Sequence, residues 1–156
     1  MSLGDLSKII EWSVGVQLDR IKEIQLILLK GHLILEVSVN HAIHILCEQG
    51  TYRICDLSFH RKLQILENQQ TNARSDLRRA IVHLRNLNLL RNRLAHELLF
   101  VNGTDAIGKW SEVVIAEFPG TKVSRNTFRT KIIRAIGALA TVLIDCKAAA
   151  ERDCNT

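Results

Sequence analysis

Proline is all but missing from this chain: among 156 residues the only one is Pro119. Proline interrupts helix interiors, so the stretch before it is free to run in long helices. Aromatic residues are scarce too, at 4% against 47% hydrophobic residues overall, and the core is therefore expected to be aliphatic. Trp12, Trp110 and Tyr52 are too dispersed to form a base-stacking platform. A glycine-rich phosphate loop is absent, and no nucleophile stands in a turn context that would suit a hydrolytic triad. The four cysteines, Cys47, Cys55, Cys146 and Cys154, make no CxxC or finger-like pairing, and no cleavable apolar leader follows "MSLGDLSKII". These absences predict a reduced, cytoplasmic protein. With no repeat, low-complexity tract or long linker, one domain spanning residues 1–156 is expected. That length can bury roughly 70% of the surface exposed by the unfolded chain.

The formal net charge of +5 fits a polyanionic partner and, equally, an ordinary solvated basic surface. Residues 24–47, "IQLILLKGHLILEVSVNHAIHILC", are apolar enough to suggest a membrane span until Lys30, His32, Glu36 and Asn40 are counted. Those groups predict a buried helix of a soluble protein with no membrane contact.

The expected architecture is all-α, a helical bundle of four to five helices with one irregular or β-like insertion near 102–124. A first helix is expected over 5–17, with Ser2 and Asp5 in capping-box spacing and Gly15 weakening its end. A long second helix follows over 19–48, beginning at Asp19, its near-continuous hydrophobicity implying that other helices or a second subunit surround it. A third covers 58–69, with Phe59, Leu63 and Leu66 on one face. The fourth spans about 76–97, with Ser75 as N-cap and Asp76 in the first turn. In the insertion, "WSEVVIAEF" has the composition of a short strand or hairpin. Residues 125–151 close the pattern, with Phe128, Ile132, Ile136, Leu139 and Leu143 along one face.

The fourth helix carries the unusual chemistry. Its end, "LNLLRNRLAHE" at 87–97, holds two arginines, an asparagine and a histidine within the six positions 91–96, where packing alone asks for none of them. At about 100° per residue, Ala80, Leu84, Leu87 and Leu94 share a core arc, while Arg74, Arg78, Arg85, Asn92 and His96 form a basic stripe nearly opposite. Asn92 and His96 are i, i+4 neighbours able to act on one ligand. Arg91 projects into the apolar arc. An arginine cannot escape burial by losing its proton, so it needs a carboxylate, several carbonyls or an interface bringing phosphate, unless it snorkels to solvent. Glu36 is the best internal carboxylate. Arg93 lies off both arcs and reads as a surface arginine.

"RNRLAH" resembles the signature of the HEPN superfamily (higher eukaryotes and prokaryotes nucleotide-binding), in which an Arg is followed by a polar residue and then by a His near the end of a helix. The matching positions are Arg91, Asn92 and His96. The setting is similar as well: an "LNxLRNxLAH" helix preceded by a long helix of "LLKGHLILE" type and a short "FxxKLxIL" helix, so that the resemblance covers roughly residues 19–150. It implies a metal-independent endoribonuclease, of the kind found as toxins or phage-defence components, acting as a homodimer whose two motifs meet in one composite cleft. It also allows a non-catalytic, regulatory or partner-binding protein like the mannitol operon repressor family. RNA and a second copy are the expected partners, together with a possible antitoxin or regulator. Leu98 stands where toxins paired with a tyrosine-modifying nucleotidyltransferase carry a tyrosine, which argues against that type of antitoxin.

Chemistry agrees with the first implication. Arg91 supplies fixed charge for phosphoryl oxygens, His96 can move a proton near neutrality, and Arg74, Arg78 and Arg85 would attract RNA. One His cannot readily serve as base and acid at once, whereas two-fold symmetry supplies a second. Arg91 and His96 also diverge by about 140° around an ideal helix, which favours a composite site. No metal or cofactor is expected. His41, His44 and Cys47 recur every three residues, but His41 and Cys47 diverge by about 120°, too far for one tetrahedral ion.

Overall fold

The computed structural model describes residues 3–47, 53–69, 75–96, 103–119 and 127–146. Among them are six α-helices: α1 (Leu3–Asp19), α2 (Ile24–Leu46), α3 (Phe59–Asn68), α4 (Ser75–His96), α5 (Gly103–Glu117) and α6 (Phe128–Ile144), with a 3-10 turn at Ile54–Asp56. The all-α class is as expected, while the count exceeds the four to five anticipated. The extra helix is α5, and no strand occurs among the described residues. "EVVI" is β-prone taken alone, but Ile107, Trp110, Ser111 and Val114 are buried at i, i+3, i+4 and i+7, a helical period that lets tertiary burial override local propensity. The Trp110 indole N–H reaches the His83 carbonyl oxygen on α4 at 3.1 Å, tying the two helices together.

The α1–α2 boundary also differs. Asp19 ends α1 rather than opening α2, and α1 continues past Gly15. The break has an identifiable cause in Arg129 of α6, whose guanidinium donates to the Ile21 carbonyl at 2.9 Å and to Asp19 at 3.1 Å. α2 then begins at Ile24. Ser58 caps α3 by accepting from the Arg61 N–H at 3.3 Å, and Phe59, Leu63 and Leu66 are buried as the pattern predicts. Ser75 lies within the first turn of α4 instead of preceding it.

The centre of the bundle is α6, packed by α1, α2, α4 and α5. Ten of its residues, from Ile132 to Leu143, are buried. Ala135, Gly137, Ala138 and Ala140 keep it slim enough for close neighbours. Thr127 and Thr130 close a capping box at its start, with N–H···Oγ1 distances of 3.2 and 2.9 Å. By contrast α2, the most hydrophobic segment by sequence, is buried on one side only. Ile27, Leu28, Leu35 and Val39 face inward, while Leu26, Leu29, Leu33 and Val37 form an exposed stripe on the opposite side. It is the one described helix long and apolar enough to cross a membrane, and half of its most apolar window is buried inside the bundle.

Gly31 of α2 meets α6 so closely that a Cβ there would run into Ile136 Cδ1. Alanine gains about 1 kcal/mol of helix propensity, against about 1–3 kcal/mol for overpacking a filled core. Gly31→Ala is therefore expected to lower the urea midpoint. In an Ile136→Val background, which lacks that methyl, the same change should raise it.

Candidate functional site

Arg91, Asn92 and His96 occupy the last two turns of α4, which ends at His96. Leu77, Ala80, Ile81, Leu84 and Leu87 bury one side of the helix, so Arg91 faces inward as projected. It is nonetheless only half-buried, because the core thins towards this end. Its Nη1 donates to Asn92 Oδ1 at 2.8 Å. His96 is exposed, and Asn92 is half-buried.

Glu36 does not form the expected pair with Arg91. Its carboxylate instead accepts from Lys62 Nζ of α3 at 2.7 Å. Lys62 is only 2% exposed, so desolvation of its ammonium makes it the stronger claimant on the one nearby carboxylate. Among the described residues Arg91 has no carboxylate partner. Beside this pair, His32 of α2 is buried, 1% exposed. Its Nε2–H donates to Asn88 Oδ1 on α4 at 3.3 Å, and its ring lies 4.4 Å from the Phe59 ring of α3, tilted by 50°. His32 thus bonds across to α4 and not to Glu36, one turn further along its own helix. Three helices enclose a polar cluster: His32 and Glu36 from α2, Lys62 from α3, Asn88 and Arg91 from α4.

Asn88 and Lys62 were not singled out by sequence. The signal existed: Asn88 projects onto the arc of Leu84 and Ile81, and Lys62 onto that of Phe59, Leu63 and Leu66. Like Arg91, both are polar residues on an apolar arc.

Burial lowers the pKa of His32 from its ordinary value near 6.5, and the Arg91 charge lowers it further. Consequently the unfolded chain takes up this proton first as pH falls. The stability associated with neutral His32 is complete above about pH 6.5 and is lost as pH drops through the lower folded-state value. Urea midpoints measured at pH 7.5 and 5.5 should therefore fall further in wild type than in His32→Gln.

The basic stripe is less continuous than expected. Arg78 is exposed, but Arg85 is half-buried and its guanidinium is taken by Glu67 of α3. Arg74, like Ser2, Leu98 and Cys154, lies outside the described residues. His41 and His44 are exposed on α2, and Cys47 is half-buried. Elsewhere, α4 and α5 border a groove of about 500 Å³, lined mainly by Leu89, Leu90, Trp110 and Val113, with Arg93 and Lys109 among the other lining residues. Comparison with protein families, curated proteins and solved structures returns no match.

Proposed function

We propose that this protein is a metal-independent endoribonuclease of HEPN type, cytoplasmic, working as a homodimer with Arg91, Asn92 and His96 of both copies in one composite site. The observation that carries the reading is the state of Arg91. It is a half-buried guanidinium on the core-facing side of α4, held by the neutral amide of Asn92, while Glu36, the expected carboxylate, is committed to Lys62. Among the described residues no carboxylate pairs with it, which leaves its charge for an anion, and phosphate suits a guanidinium fork.

In such a site Arg91 would stabilise charge growing on the phosphoryl oxygens. His96 of one copy would take the proton of a ribose 2′-hydroxyl, and His96 of the other would protonate the leaving oxygen. Arg78 and Arg85 would meet phosphates away from the reacting bond, Arg85 by exchanging Glu67 for RNA. Support for a two-fold contact through α4 comes from its outer face, where Val82 and Leu89 stand exposed, Leu89 by 61%, beside Asn92 and His96. A protein that stays monomeric at micromolar concentration would contradict that contact.

The test is purified wild type against His96→Ala on total RNA in EDTA. Cleavage by wild type alone is expected, whereas equal residual cleavage would overturn this function in favour of a second: a non-catalytic, mannitol-repressor-like regulatory or partner-binding protein. The α4–α5 groove favours that second reading, since its apolar walls and two basic residues suit a protein segment, whether antitoxin or regulator.

A further inference from the structure

The polar cluster behind the motif contains more than the proposed chemistry uses. Asn88 lies three residues before Arg91 and four before Asn92, so on α4 its side chain is next to both. Across the helix boundary it is bonded to His32, whose ring is packed against Phe59 and fixed in place. Among the described residues, the buried His32 Nδ1 has no hydrogen-bond partner. With Nε2–H donating to Asn88, that bare nitrogen matches a neutral imidazole, the only form that does not require a second acceptor.

The charged groups acting on His32 are Glu36 on its own helix, Lys62 on α3 and Arg91 on α4. Glu36 is bonded to Lys62, so the cluster holds two cations and one anion while His32 is neutral. A proton on His32 would set three cations against a single carboxylate and bury an N–H with no acceptor, a combination that low-dielectric surroundings penalise heavily.

We propose that His32 and Asn88 are a positioning pair for the motif: neutral His32 holds the Asn88 carboxamide, which sets Arg91 and Asn92 one turn further along α4, and a proton on His32 dismantles this arrangement. The proposal rests on the ribonuclease reading and adds to it an acid shut-off that lies behind the motif rather than in it. Neither residue touches RNA, and both act through Arg91.

Two variants test the pair. His32→Leu removes the bond to Asn88 while keeping the core apolar, and cleavage should fall at least about tenfold in kcat with little change in KM. His32→Gln, whose amide can still donate to Asn88, should restore most of that loss. The pH profile separates positioning from mere packing. On the acid side, log kcat/KM of wild type should fall more steeply than that of His32→Gln, because protonation of His32 adds a loss that the glutamine variant lacks. Superimposable acid limbs, or full activity in His32→Leu, would overturn the proposal.

A measurement without RNA covers the case where His32→Leu does not fold or the wild type does not cleave. The arginine Nε–Hε resonance of Arg91, assigned by its absence from Arg91→Lys, should shift with the midpoint of the His32 ring proton in wild type and stay fixed in His32→Gln. If wild type cleaves no RNA at any pH, the ribonuclease reading fails, and this resonance alone decides whether His32 governs Arg91. An Arg91 signal indifferent to His32 would overturn the pair.

Discussion

Arg91→Ala is expected to lower RNA cleavage about 10²–10³-fold, the range seen when one preorganised donor to a developing oxyanion is removed. His96→Ala should lose about 10²–10⁴-fold through the missing proton transfer. Both variants should keep the helical circular dichroism, because neither side chain belongs to the aliphatic core: Arg91 is half-buried and His96 exposed. Arg91→Lys should not rescue Arg91→Ala. An ammonium is a point charge that cannot hold Asn92 and a phosphate with one planar fork. Asn92→Ala should weaken activity less than either, since an amide orients the guanidinium without carrying charge. Single-turnover rates on a short RNA, with affinity measured separately, distinguish these losses from weaker binding.

The largest stability effect is expected at Glu36. Removing one partner of a buried ion pair typically costs about 3–5 kcal/mol, because the remaining charge is stranded. Glu36 keeps about a quarter of its side-chain exposure whereas Lys62 has almost none, so Glu36→Ala should fall near the low end, about 3 kcal/mol, or roughly 10 °C in melting temperature. Lys62→Met should be much milder, within about 1 kcal/mol of wild type, since it removes the charge that burial penalises and leaves a carboxylate with access to water. Equal losses from the two changes, measured by urea denaturation, would show that the pair is valued for its contact and not for neutralising a buried ammonium.

Periodicity made the faces of α3, α4 and α6 legible before any coordinates. Apolar spacing marks a buried side whatever the partner turns out to be, and Phe59, Leu84 and Ile136 are buried as projected. The α1–α2 break was not legible, because it depends on Arg129, more than a hundred positions away in the chain. Nor was α5: its β-branched run conceals a helical period that becomes decisive only against α4 and α6. At the site, sequence located Arg91, Asn92 and His96 on one helix end but could not assign the carboxylate. Glu36 had two cationic suitors, and the choice fell to Lys62 because of how deeply α3 is inserted, a property of packing that no single segment encodes.

The position of α6 has a consequence for how the molecule is made. The inward face of α1 packs chiefly, and that of α2 in large part, on the last described helix, so during synthesis, at about 5–20 residues per second, both wait for several seconds without their main partner. Helical bundles with local contacts fold quickly, yet here the decisive contacts join the two ends of the chain. Folding is therefore expected to finish only once α6 has left the ribosome. Until then the nascent chain presents aliphatic stripes suited to chaperone capture.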